Sequence, residues 1–385
     1  MIYSQEKNIT KYVKKITKAG SNITSEAYMN QNNHQELKEL KRCFIDLPGI
    51  HKLLEFLKNE AEIYAPHKKG TNSFSYQPVV SPEDVILHYP RTIQPLKKFF
   101  LPPRETLLKF YTGENKFEKP EIPVKKRIFF AIHSYEMQAV KRLDFSFARG
   151  NPEWNYLARR ENSIFVGISF EPDEYHFSAS VGISAEMIDG FSLFLYPDGD
   201  GYCLFVIDEA GEDIIKRFTA ENPLKEAKMP KIAEKEFTNK IKLHSNRLPK
   251  IFEHIYHSGV WEKVAEKCVG CGTCNLLCPT CYCFDVRDEV ELDVDQGKRE
   301  RFWDGCMLNP FAEVAGGENF REKLSARTRH RLHRKFKYLS DTTGELYCVG
   351  CGRCSRYCPA DISIVEIVNE LIDDYTLHAK NRLFM

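Results

Sequence analysis

The stretch Cys268–Val286, CVGCGTCNLLCPTCYCFDV, places six of the chain's thirteen cysteines within sixteen consecutive positions. Its first four, Cys268, Cys271, Cys274 and Cys278, recur as Cys348, Cys351, Cys354 and Cys358 at a constant offset of 80, and each run reads C-V-G-C-G-x-C-x-x-x-C-P. Zinc ribbons use pairs of cysteines split by a long spacer. Three cysteines at spacing three, then a fourth followed by proline, is instead the run that holds a [4Fe–4S] cluster. Gly270, Gly272, Gly350 and Gly352 allow the backbone to wrap closely, so that amide N–H groups can face cluster sulfurs. Pro279 and Pro359 turn the chain away after the last ligand. In two-cluster proteins of this kind the fourth cysteine ligates the other cluster. The expected sets are Cys268, Cys271, Cys274 and Cys358 for one cluster, and Cys348, Cys351, Cys354 and Cys278 for the other.

Composition agrees with metal ligation and narrows little else. An odd number of cysteines, strongly clustered, argues against a disulfide framework. The formal net charge of +1 in 385 residues gives no global pull toward nucleic acid or membranes. No run approaches the roughly 18 apolar residues that span a bilayer. The opening MIYSQEKNITKYVKKITKAG lacks the apolar core of a signal peptide, so a cytoplasmic location is expected.

Between the runs lies an insert, residues 279–347, too long to be a turn. Cys281, Cys283 and Cys306 fall within it, and the sequence leaves them open between additional metal ligands, substitute ligands and packed free thiols. From Asn319 to Tyr338 the insert carries eight Lys or Arg (Arg321, Lys323, Arg327, Arg329, Arg331, Arg334, Lys335, Lys337) against one acid, Glu322. No proline interrupts this stretch, which reads as a basic helix. It can offset cluster charge, dock an acidic partner, present an ordinary solvated face, or bind nucleic acid, although no nucleic-acid fold signature accompanies it.

Upstream, residues 1–36 form a polar tail too poor in apolar side chains for a core. Ile50, Leu53, Leu54 and Leu57 recur at helical spacing, and RETLLKF after Pro103 reads as a further helix. Lys97, Lys98 and Arg104 in KKFFLPPRE are either anion contacts or exposed charges around an aromatic anchor. Beyond Glu121, KRIFFAI, SIFVGISF, HFSASVGI, GFSLFLYP and GYCLFVID read as strands, with SYEMQAVKRLDFSF as a helix among them and YPDGDGY as a hairpin turn. No dinucleotide fingerprint, P-loop or nucleophile elbow is present, and Lys231 to Cys268 reads as helices with Trp261 at a domain junction.

CPTCYCFDV, RFWDGCMLNPFAEVAGG, RTRHRLHRKF and CVGCGRC, preceded by KKFFLPPRE, resemble the iron–sulfur β subunit of cytosolic sulfhydrogenases, whose plan the iron–sulfur subunit of anaerobic sulfite reductase shares. The resemblance implies a non-catalytic electron-transfer subunit with two [4Fe–4S] clusters. Its implied partners are a flavin- and NAD(P)-binding reductase subunit, together with a catalytic or electron-acceptor subunit, with no membrane and no nucleic acid. Family members often carry cysteines in the β-rich domain where this chain has Tyr135, Ser169 and Ser178, which implies a scaffold role for that domain here. A second reading makes the protein a cluster-stabilised assembly or nucleic-acid-binding protein using residues 319–338. The expected fold class is α+β: an N-terminal α/β domain, a helical segment, and a two-[4Fe–4S] ferredoxin-like domain with a long insert between its cysteine runs. The expected divisions are the tail (1–36), a helical or irregular region (37–120), a β-rich α+β domain (121–230), and a helical lead-in plus the dicluster domain (231–385).

Overall fold

The computed structural model describes residues 32–122, 125–292 and 295–383. Most of the polar tail lies outside them; from Asn32 to Glu39 the chain is helical.

Among the described residues, twelve strands form two sheets. In chain order they are β1 (Lys41–Asp46), β2 (Glu62–Gly70), β3 (Ser73–Pro78), β4 (Arg104–Tyr111), β5 (Lys116–Glu118), β6 (Arg127–Ile132), β7 (Ser163–Ile168), β8 (Leu193–Asp198), β9 (Gly201–Val206), β10 (Lys225–Glu226), β11 (Phe284–Val290) and β12 (Gln296–Trp303). The larger sheet runs β10-β1-β9-β8-β7-β6-β2-β3, the smaller β11-β12-β4-β5. β2, β6, β7 and β8 pair in parallel, and the outer pairings are antiparallel.

The central strands are apolar along most of their length, polar residues such as Arg127, Ser163 and Asp198 standing at their ends, because both faces of the sheet are covered. Ile128, Phe130, Val166, Ile168, Leu193 and Leu204 pack on one side against Leu53, Leu54 and Leu57 of helix Leu47–Lys58 and against Ile214 and Phe218 of helix Glu209–Thr219. Their neighbours Phe129, Phe165, Phe194 and Phe205 point to the other side, against Val140, Leu143 and Phe147 of helix Ser134–Ala148 and against Tyr156 and Leu157 of helix Trp154–Glu161. A third core joins this domain to the cysteine-rich part: Tyr135, Phe170 and Phe177 meet Trp261, Leu332, Phe336, Val349 and the C-terminal helix Ile364–Leu383. Trp261 is fully buried at that junction, as its position in the sequence suggests.

Four readings change. Residues 37–120 are not only helical or irregular: β1, β2 and β3 belong to the same sheet as β6–β9, so no boundary falls near 120. RETLLKF is strand β4, not a helix, because its partner β12 comes from the insert, and seven residues carry too little periodicity to reveal that. HFSASVGI is a 3₁₀ turn, Ser178–Val181, because the amide of Phe177 donates to Gly350 of the second cysteine run instead of to a neighbouring strand. The lead-in is helical at Leu248–Phe252, with a 3₁₀ turn Ser245–Arg247 before it, and at Val260–Lys267, after an irregular stretch. Helices Leu47–Lys58 and Ser134–Ala148 and the β8–β9 hairpin through Asp198 and Gly201 form as the sequence indicates.

Candidate metal centre

The two cysteine runs fold alike. Gly270 and Gly272 take φ of +68° and +74°, and Gly350 and Gly352 take +64° and +71°, the left-handed region that glycine enters without strain. Each second glycine opens one helical turn, Thr273–Leu276 or Arg353–Arg356, which carries the third cysteine. The fourth cysteine then closes onto the turn: the amide of Cys278 donates to Asn275 O and that of Cys358 to Ser355 O, both at 3.2 Å. The sequence repeat is therefore a repeat of backbone geometry.

Two cavities lie between the runs. Cys268, Cys271, Cys274 and Cys358 line one, with Cys354 also in its wall. Cys278, Cys348, Cys351 and Cys354 line the other. Each cavity thus takes its fourth cysteine from the opposite run, and all eight thiols are free of disulfides.

The surroundings fit an anionic, thiolate-bound group. Burial pushes the bare thiol of Cys274 up to about 12 and that of Cys351 up to about 11, so neither would ionise without a metal. Yet buried cations face them. Arg331 lines both cavities, and its Nη2 donates to Cys274 O at 3.3 Å. Lys335 lines the second cavity and donates to Thr280 Oγ1 at 2.6 Å, and that hydroxyl is 3.4 Å from Cys278 Sγ. Burial alone would lower both cations; the facing cysteines, Cys274 and Cys354 for Arg331 and Cys278 and Cys281 for Lys335, outweigh it and raise them. Two such charges beside neutral thiols would lack a counterion.

Only one side is open. Cys271 and its neighbour Val269 are exposed, whereas the second run lies beneath the carboxyl ends of β6 and β7, the edge where open α/β sheets commonly receive ligands. A Cβ on Gly350 would fall 2.4 Å from the Ser178 backbone, and one on Gly352 would fall 2.3 Å from the Tyr175 carbonyl. Arg353, between Cys351 and Cys354, enters the sheet domain completely: it ion-pairs with Glu136 at the start of helix Ser134–Ala148, and donates from Nε and Nη2 to Thr92 O and Oγ1 at 2.8 and 2.9 Å.

The insert has three parts. Its hairpin β11–β12 completes the small sheet on β4. Its middle, 304–322, packs on the first run: Asn275 Oδ1 accepts from Met307 N at 2.9 Å, and Leu308 sits against Gly272. Asn275 Nδ2 lies 3.6 Å from Cys281 Sγ and 3.5 Å from Cys306 Sγ, so these two buried thiols share one amide, while Cys283 is half-buried nearby. Its last part is the expected basic helix, over Leu324–His333 with a π-turn through Tyr338. The helix is not a solvated basic face, because Arg327, Arg331 and Lys335 are drawn inward and only Lys323 of the eight cations is exposed. Lys97 is likewise buried; its Nζ donates to Cys281 O at 3.0 Å and lies over Trp303, while exposed Arg104 pairs with Glu289 and Glu300.

Residues 267–362 match the family model described as a 4Fe-4S dicluster domain, and the chain carries two [4Fe–4S] clusters. Over 323 residues it is 36% identical to Sulfhydrogenase 2 subunit beta of Pyrococcus furiosus, a match covering 82% of this chain and 93% of that protein. The chain belongs to the sulfhydrogenase β-subunit family.

At the three positions where the resemblance implies cysteines, this member of the sulfhydrogenase β-subunit family holds other polar groups, and the buried Ser178 hydroxyl has no hydrogen-bond partner. Tyr135 donates to Pro90 O at 3.1 Å and contacts His133, Ser169 donates to Glu186 at 3.3 Å, and Ser178 supports Gly350. Around them Arg91 pairs with Asp173, which also holds His176, and burial keeps that imidazole down at about 4. Among the described residues no helix is long and apolar enough to cross a membrane. Sequence reasoning missed Glu136, Thr92 and Asn275. Only Arg353 left a signal, a charged side chain inside a cysteine loop whose counterpart in the first run is Thr273.

Proposed function

We propose that this protein relays single electrons from a flavin- and NAD(P)-binding reductase subunit to a catalytic or electron-acceptor subunit, or in the reverse direction. The observation that carries the reading is the pair of adjoining cavities, each lined by three cysteines of one run and the fourth of the other. Cys268, Cys271, Cys274 and Cys358 hold the first cluster, and Cys348, Cys351, Cys354 and Cys278 the second. The bound clusters supply the one-electron chemistry. The chain supplies thiolate ligation, fixed spacing, exclusion of water from the second set and buried positive charge. Cys281, Cys283 and Cys306 are packed thiols outside both sets, and the sheet domain is the scaffold that clamps the second run through Arg353. The exposed Cys271 edge is the side that meets an electron-exchange partner. The relative named above is a subunit of a sulfhydrogenase, which supports a hetero-oligomer as the working form.

Anaerobic stopped-flow mixing tests this directly. Dithionite-reduced protein should be reoxidised rapidly by a flavin-containing reductase. Absence of electron exchange, together with salt-sensitive retention on RNA or DNA, would contradict the proposal and favour a nucleic-acid-binding role.

A further inference from the structure

We propose that Arg331 is a cation shared by the two clusters, raising both reduction potentials together, and that Lys335 acts mainly on the set containing Cys278. The inference rests on the two-cluster reading above. Arg327, Arg331 and Lys335 lie at i, i+4 and i+8 on the helix and its π-turn, so one stripe faces the first cysteine run. The three are not equivalent. Arg327 spends its two Nη groups on Met307 O and Glu322 O. Arg331 makes one hydrogen bond, to Cys274 O, and its buried Nε has no hydrogen-bond partner. No carboxylate pairs with Arg331 or Lys335 among the described residues, although they are only 6% and 4% exposed.

Position separates their roles. Arg331 lines both cavities, whereas Lys335 lines only the second and reaches Cys278 through Thr280. His333, between them in sequence, ties the helix to the lead-in, one ring nitrogen 3.1 Å from Phe252 O and the other 2.9 Å from Arg329 O within the helix itself. Reduction adds one negative charge to a cluster, and a nearby buried cation stabilises the reduced form more than the oxidised form. A cation between two clusters does so for each. It also supplies a buried counterion beside two adjacent thiolate-bound anions.

The test is an EPR-monitored redox titration of the full-length, cluster-loaded chain, with iron measured on every sample. Arg331→Gln should lower both midpoints by about tenfold in each one-electron equilibrium, about 59 mV, at unchanged iron content. Arg331→Lys, which keeps the charge, should stay near wild type, and Lys335→Gln should move one midpoint. Unchanged midpoints in Arg331→Gln, a shift of only one, or equal shifts in Arg331→Gln and Arg331→Lys would overturn the proposal. If Arg331→Gln fails to retain iron, Lys335→Gln decides: movement of both midpoints, or of neither, contradicts the assigned geometry. Wild-type protein without two clusters would defeat the underlying relay reading instead.

Discussion

Glu136→Gln should be among the most damaging single substitutions in this chain, although it changes one atom. Glu136 and Arg353 are both fully buried, and the pair joins the sheet domain to the loop between Cys351 and Cys354. The amide removes the counter-charge and leaves the buried guanidinium with its two Thr92 hydrogen bonds and a neutral acceptor in place of a carboxylate. Breaking a buried pair from one side costs about 3–5 kcal/mol, a large share of the roughly 5–15 kcal/mol that holds a domain folded. Chemical denaturation of the cluster-loaded protein should show that loss. It should be nearly insensitive to added salt, because water and ions do not reach the pair. The strain falls on the second cysteine run, so iron should drop from about eight per chain toward about four before global unfolding. The double variant Glu136→Gln/Arg353→Met should recover much of the stability, since no charge is left buried. A loss below about 1 kcal/mol in Glu136→Gln, the size of an exposed ion pair, would refute the reasoning.

Gly350→Ala should cost well over ~2 kcal/mol, because a left-handed φ is combined with a collision against the Ser178 backbone, whereas Gly344→Ala, at φ +76° in open space, should cost only ~1–2 kcal/mol; equal denaturation midpoints would show that the cysteine loop does not press on the sheet domain. Burial raises the Glu186 carboxyl to about 7, so its folded state holds a proton that the unfolded chain has released. The associated stability is complete below the ordinary carboxylate range and is lost as pH rises through about 7. Glu186→Gln should flatten that slope, worth up to roughly 3 kcal/mol, and an unchanged pH–stability curve would place Glu186 in water.

The cysteine runs were legible because cluster ligation constrains short local spacing, which no distant residue can alter. The same holds for β6–β9, whose double-sided burial leaves continuous apolar runs. β2 was not legible: EIYAPHKKG mixes proline with charged residues because its far end is exposed and lies near the sheet edge. β4 is defined by β12, and the pairing of Glu136 with Arg353 joins opposite halves of the chain. Such contacts exist only once the topology does. The basic helix shows the opposite limit: composition located it, but composition cannot say which cations turn inward. Arg331 and Lys335 turn inward because the helix packs through Leu332 and Phe336 onto the junction core, which fixes the neighbouring face toward the cysteines.

Iron and acid-labile sulfide per chain, measured on anaerobically purified protein and followed by low-temperature EPR after reduction, test the central claim most directly. About eight of each, with the spectrum of two interacting [4Fe–4S] centres, is the expected result. Zinc without labile sulfide, or a single isolated centre in fully loaded protein, would contradict the two-cluster relay.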